Sequence, residues 1–223
     1  NKHVLLEKPM TIYEDEARHL IEVAESRQLT LMIGHIYLFN GAIQRLKTYI
    51  DSGVMGDLYY LYTQRTNLGP IRHDVNALWD LAPHDISSLN HLMGATPQWV
   101  SAVGHKALRN SREDVGFIVL GYPNEVIGQL HVSWVDPDKV RQVVAVGSQM
   151  RIICNDLNPQ EPLRIYEKGV VLADDEADAA DYAEHQFTIR NGDIISPNIA
   201  VSEPLKNQCL HFVDCVNRGA KPI

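Results

Sequence analysis

Hydrophobic and polar positions along the chain fall into two regimes. His3–Glu7 is a short apolar run bounded by charge and by Pro9, which predicts a buried strand. Thr11 and Glu14 then have the spacing of a capping box. Ala17, Leu20, Ile21 and Ala24 follow at i, i+3, i+4 and i+7, one apolar helical face. Leu29–Ile33 is a second apolar run, closed by Gly34. Strand, helix and strand in about thirty residues predict a βαβ unit and a parallel pair. Two parallel strands do not make a stable sheet by themselves, so this unit reads as the last piece of a larger doubly wound domain.

From Asn40 the pattern changes. Ala42–Asp51 predicts a helix stopped by Gly53–Gly56, and Leu58–Asn67, rich in Tyr and Thr, predicts a strand. Asn67–Asn76 carries Gly69, Pro70, Arg72, His73 and Asp74 and reads as a loop. Asp80–Met93 predicts a helix ended by Gly94, with Pro83 in its first turn. Strand candidates then crowd together at Trp99–Lys106, Val115–Tyr122, Val126–Val135, Val140–Val146 and Arg151–Asn155, with Pro123-Asn124 as a tight turn. Such short connections imply antiparallel pairing. Asp174–Asp181 reads as a solvated acidic excursion. Glu203–Asn217 reads as an amphipathic helix with Leu205, Cys209, Phe212, Val213 and Val216 on one side. The expected fold class is α/β followed by α+β. Residues 1–36 are expected to be the C-terminal part of a doubly wound, Rossmann-type domain, and 37–223 an open, mostly antiparallel sheet with helices on one face.

Composition narrows the function classes. Twenty basic against 28 acidic residues give a net charge of −8, which disfavours binding to a phosphate backbone. Three cysteines without CxxC spacing point to free thiols in a reducing compartment, hence a cytoplasmic location. No apolar run approaches the length of a membrane span.

The chemistry concentrates in Trp79-Asp80-Leu81-Ala82-Pro83-His84-Asp85. Asp80 and His84 stand four apart, one helical turn, so an acid and an imidazole share a face. A carboxylate there can orient a histidine that moves a proton near neutral pH. His84 and His91 could also share a face, but no third ligand has suitable spacing, so no metal site is expected.

Taken in order, Glu7-Lys8-Pro9, Gly34-His35, Asn40-Gly41 and Asp80-x-x-x-His84 resemble the Gfo/Idh/MocA oxidoreductases, the glucose–fructose oxidoreductase and inositol dehydrogenase family. The Trp-Asp-Leu-Ala-Pro-His-Asp run is similar to the nucleotide-sugar 3-dehydrogenase branch. The resemblance implies hydride transfer between a sugar or nucleotide-sugar carbinol carbon and NAD or NADP. It assigns His84 as base, Asp80 as its orienting acid and Lys8 as a cation at the developing alkoxide. Glu7, Lys8, Pro9 and His35 would line the cofactor side, and Arg65, Asn67, Arg72 and Asn76, around the loop before Asp80, would contact substrate. It further implies a homodimer or homotetramer through the sheet face.

One departure is large: no G-x-G-x-x-G occurs anywhere in the sequence. The expectation is a chain truncated at its N-terminus, with the main cofactor site outside it and little activity alone. A non-catalytic scaffold of the same fold is the principal alternative, and a lyase or hydrolase using a transiently bound cofactor is a third.

Overall fold

The computed structural model describes residues 1–109, 111–172, 187–200 and 202–223. The βαβ unit is present. Strand β1 (Val4–Glu7) pairs in parallel with β2 (Leu31–Gly34), with Val4 opposite Leu31 and Glu7 opposite Gly34. Between them runs α1 (Glu14–Ser26), whose first turn holds Glu14, Asp15 and Glu16, a favourable charge for the positive end of the helix dipole. The capping box is not formed. The Thr11 hydroxyl donates to the Tyr13 carbonyl at 2.7 Å, so the helix begins later, behind Tyr13 and without a side-chain cap. No residue of α1 is buried, and Leu20 and Ile21 of its apolar face remain exposed.

After β2 a 3-10 turn (Ile36–Phe39) leads into α2 (Gly41–Asp51), where Asn40 accepts hydrogen bonds from the Ala42 and Ile43 amides. Gly53 and Gly56, at φ of 73° and 69°, turn the chain into β3 (Leu58–Leu68). Helix α3 (Ala77–Met93) starts three residues before Asp80, because Asn76 caps it by accepting from the Trp79 amide at 2.9 Å. Pro83 therefore lies inside the helix and not in its first turn. It sits with Trp79 on the side of α3 that lines an open groove, where water can replace the hydrogen bond that proline removes. Gly94, at φ 62°, closes the helix in the left-handed conformation.

The remaining strands are β4 (Trp99–His105), β5 (Val115–Gly121), β6 (Ile127–Ser133), β7 (Val135–Gly147), β8 (Arg151–Asn155), β9 (Leu163–Tyr166), β10 (Gly169–Leu172), β11 (Phe187–Arg190) and β12 (Ile194–Ile195). Among the described residues, eight strands form one sheet in the order β12-β9-β8-β7-β3-β6-β5-β4, and β10 pairs separately with β11. Within the eight-stranded sheet, pairing is antiparallel except between β3 and β6, which run parallel because α3 carries the chain across between them. The acidic segment Asp174–Asp181 lies outside the described residues.

The register sorts side chains onto two faces. Leu61, Ile118, Leu120, Leu130, Val132, Ala145 and Ile152 point inward and form the main core with Leu46 of α2 and Leu89 and Leu92 of α3. The opposite face carries Tyr60, Tyr62, Val103, Phe117, Gln129 and His131. The Phe117 and His131 rings stack at 4.5 Å, and Tyr60 and Tyr62 at 6.4 Å. Among the described residues no helix covers this face.

Helix α4 (Pro204–Arg218) packs back against the 3-10 turn, where Phe212 joins Met32, Leu38, Phe39 and Leu5 in a second core. Its buried residues are Gln208 and Cys215, with Phe212 half-buried on the same side, so the expected stripe is met only in part, at Phe212. Leu205, Cys209 and Val213 form a neighbouring row that faces solvent, since α4 meets the body of the protein along one narrow side only.

The two faces predict different sensitivities. Leu61→Ala, at a position with 0% exposure, is expected to cost about 2–5 kcal/mol of unfolding free energy in urea titrations. Val103→Ala, on the open face at 67% exposure, is expected to stay within about 0.5 kcal/mol of the parent. Equal costs at both positions would contradict this assignment of inner and outer faces.

Candidate functional site

The site forms where the C-terminal ends of β1 and β2 meet the first turns of α3. Lys8, immediately after β1, reaches 72 residues along the chain to Asp80. Its ammonium donates to the Asp80 carbonyl at 2.6 Å and lies 3.4 Å from Asp80 Oδ1. The same carboxylate accepts from Arg72 Nη1 at 3.2 Å and from the Trp134 indole at 3.3 Å. Two cations and a neutral donor thus surround one largely buried acid, a sound arrangement because buried charge is costly unless paired. Trp134, only 2% exposed, is thus a direct partner of Asp80 as well as a core residue.

The anticipated Asp80–His84 dyad is not formed. Among the described residues no hydrogen bond joins the two, because Lys8, Arg72 and Trp134 already hold the Asp80 carboxylate. His84 turns instead toward the 3-10 turn, and its ring meets Tyr37 edge-to-face at 4.9 Å. Its Nδ1 is buried and has no hydrogen-bond partner among the described residues. Burial, then the positive charges of Arg65, Lys8, His35 and Arg141, push the His84 pKa down to about 3. His35, at the end of β2, also has a buried Nδ1 without a partner, and burial and Lys8 lower its pKa. The imidazole that the sequence places near pKa 6.5 is therefore held neutral far into the acid range.

The remaining candidates separate by location. Arg65 is not beside the loop but within β3, 6% exposed, in a two-pronged ion pair with Asp85 at 2.9 Å on both arms. Burial opposes its charge, but Asp85 and then Tyr37 outweigh this and raise its pKa, so the guanidinium stays charged. Asn76 is a helix cap whose amide also donates to Glu113 at 3.0 Å, so both ends of its side chain are already engaged in holding the loop. Asn67 lies at the end of β3, its side chain against Gly69. Arg72, 40% exposed on its side chain, bridges Asp74 and Asp80 at the mouth of the site. Glu7 is exposed at the end of β1, while Pro9 and His35 line a groove of about 480 Å³ together with Leu78, Trp79 and Pro83 of α3. A second cavity of about 290 Å³ lies behind Tyr37 and Arg65, walled by Arg141, Asn155 and Asp156. Sequence spacing carried no signal for Tyr37 or Asp85, whose importance comes only from contacts made across three elements.

A mixed α/β chain dominated by a large, mostly antiparallel sheet with helices has Gfo/Idh/MocA oxidoreductases as its structural neighbours. Residues 43–153 match the GFO/IDH/MocA C-terminal domain. The chain belongs to that family. It is 32% identical over 170 residues to UDP-N-acetylglucosamine 3-dehydrogenase of Acidithiobacillus ferrooxidans, covering 75% of this chain and 51% of that protein. It is 31% identical over 120 residues to dTDP-3,4-didehydro-2,6-dideoxy-alpha-D-glucose 3-reductase of Actinomadura kijaniata, covering 50% of this chain and 35% of the relative. The chain spans about half the length, or less, of these curated relatives. The solved structure of the Acidithiobacillus enzyme superimposes with a TM-score of 0.77 at 26% identity, covering 99% of this chain and 64% of that one. An inositol dehydrogenase homolog from Azotobacter vinelandii, solved with NADH and myo-inositol, shares the fold at a TM-score of 0.73 and 16% identity over 97% of this chain and 61% of that one.

The depressed His84 pKa has a consequence for stability. The folded state binds the proton less readily than the unfolded chain, whose histidine titrates near the ordinary value of about 6.5. The stabilisation is complete above about pH 6.5 and is lost as pH falls from there toward the folded value of about 3. Urea midpoints measured from pH 7 to pH 4 should fall less steeply for His84→Gln than for the parent. Parallel slopes would contradict a buried neutral imidazole.

Proposed function

We propose that this chain is the substrate-binding part and the adjoining strand ends of an NAD(P)-dependent oxidoreductase acting on a sugar or nucleotide sugar. Residues 1–36 are read as the C-terminal part of the dinucleotide-binding domain and 37–223 as the substrate and assembly domain. One observation carries the reading: residues separated by 72 positions, Lys8 and Asp80, meet at 2.6 Å beside His84. Ligands in open α/β folds bind outside the carboxyl ends of the strands, where Lys8 and His35 stand. The unpartnered His35 Nδ1 and the apolar groove at Pro9 suit a nicotinamide-sized group. A glycine-rich pyrophosphate cradle does not occur in this sequence, so these residues would hold the nicotinamide end only.

When bound, the nicotinamide supplies the hydride acceptor for an alcohol, or the donor for the reverse reaction. In the oxidative direction the substrate carbinol C–H electron pair leaves as hydride, the O–H proton passes to His84, and a carbonyl remains. The neutral imidazole is ready to take that proton at any pH above its low pKa. The Lys8 ammonium uses two of its three donors' directions on Asp80 and keeps one for the carbinol oxygen, where negative charge develops. Asp80 fixes Lys8 and not His84. Among the relatives, both nucleotide-sugar enzymes named above support a nucleotide-sugar substrate.

The uncovered aromatic face of the sheet supports a closed homodimer or homotetramer, because a broad apolar face left in water favours self-association. Light scattering of the full-length protein at micromolar concentration is expected to give a closed oligomer, and Phe117→Glu to shift it toward monomer. A parent that is monomeric throughout would overturn this part of the reading.

Activity is tested with UDP-N-acetylglucosamine and NAD or NADP in the full-length protein. His84→Ala should lower kcat by on the order of 10²–10⁴, the usual contribution of a general base, and Lys8→Ala should lower it as well. Near-parent turnover by both variants would overturn the assigned roles.

A further inference from the structure

Helix α3 places His84 and Asp85 side by side in sequence but sends them to different neighbours. Asp85, 1% exposed, points to β3 and grips the Arg65 guanidinium with two bonds of 2.9 Å. Arg65 lies over the Tyr37 ring, its guanidinium carbon 4.1 Å from the ring centroid. Tyr37, in the 3-10 turn after β2, meets His84 edge-to-face at 4.9 Å. The four side chains therefore close a ring of contacts, from α3 through β3 and the 3-10 turn back to α3. Fork-shaped Arg–carboxylate pairing and a cation over an aromatic face are both directional, so each member limits the orientation of the next.

We propose that Tyr37, Arg65 and Asp85 are positioning residues for His84: Asp85 fixes the Arg65 guanidinium, which holds the Tyr37 ring against the His84 imidazole, with a cation and not an acid behind it. This rests on the reading of His84 as the base. The arrangement inverts the usual one, in which an acid beside the histidine favours the imidazolium. Here both acids on the helix near His84 are already engaged, Asp80 by Lys8, Arg72 and Trp134, and Asp85 by Arg65. The charged or titratable groups that act on His84 are Arg65 from β3, Lys8 after β1, His35 at the end of β2 and Arg141 from β7, with the Tyr37 ring against it from the 3-10 turn. Every cation in that set opposes protonation, and Arg65 is the foremost of them after burial itself. A base built this way gains no help in stabilising its imidazolium.

The experiment is an NMR titration of the histidine rings of the chain, with the His84 resonance assigned by its loss in His84→Gln. Replacing the buried pair together, Arg65→Met with Asp85→Leu, avoids leaving one charge unpaired, which is often tolerated. The His84 midpoint should rise by about one pH unit or more, a change of at least about 1.4 kcal/mol in the proton equilibrium. Tyr37→Leu leaves the pair intact and opens the ring to water, so it should also raise the midpoint, whereas Tyr37→Phe, which keeps the ring, should not. A His84 midpoint unchanged in both the double variant and Tyr37→Leu would overturn the proposal. If the midpoints move as expected while His84→Ala keeps normal turnover, the clamp stands and the assignment of His84 as base falls. If His84→Ala abolishes turnover and the midpoints do not move, the base assignment stands and the clamp falls.

Discussion

The contact between the Lys8 ammonium and Asp80 is the constraint on which the site depends. It joins the end of a parallel strand to the first turns of α3 across 72 residues of sequence, and it does so with two acceptors on one residue, the carbonyl at 2.6 Å and the carboxylate at 3.4 Å. The carbonyl ties Lys8 to the helix backbone, so the position of the cation is set by where α3 begins. That start is fixed in turn by the Asn76 cap and by the Asn76–Glu113 hydrogen bond. Asn76, which a sequence reading assigns to substrate contact, thus serves to set the helix that carries His84.

Charge around His84 is organised as a gradient and not as pairs. The acids nearest to it are consumed by cations: Asp80 by Lys8 and Arg72, and Asp85 by Arg65. What remains facing the imidazole is net positive and largely dry, which is why its pKa lies far below that of a free histidine. The sheet supplies the rigidity this needs. Arg65 stands on β3, which is flanked on both sides by long strands, and its inward direction is dictated by the same alternation that buries Leu61 and Thr63.

Much of this was legible in the sequence where periodicity or a short motif carries the signal. The parallel unit, α2, β3 and the strands from Trp99 to Asn155 follow the alternation of apolar and polar residues within a few positions. Helix starts were less legible, because capping is decided by one hydroxyl or amide: Thr11 spends its hydroxyl on the Tyr13 carbonyl, and Asn76 captures the start of α3 ahead of Asp80. The stripe on α4 misled in part because Gln208, a polar residue, gives no apolar signal for the side that docks on Met32, Leu38 and Phe39, where only Phe212 of that stripe belongs. The i,i+4 spacing of Asp80 and His84 put both on one helix but could not foresee that three other groups would claim the carboxylate. Tyr37, Trp134 and Asp85 act through long-range contacts, which leave no local pattern to read.

The central claim is that Lys8 and His84 converge on one reacting carbon. A crystal structure of the full-length protein with reduced cofactor and a nucleotide sugar tests it most directly. The account predicts a carbinol or carbonyl oxygen within hydrogen-bond reach of both Lys8 Nζ and a His84 ring nitrogen, with the nicotinamide about 3–3.5 Å from the same carbon. A sugar bound away from these two residues, or a His84 ring still packed on Tyr37 with neither nitrogen near the ligand, would contradict it.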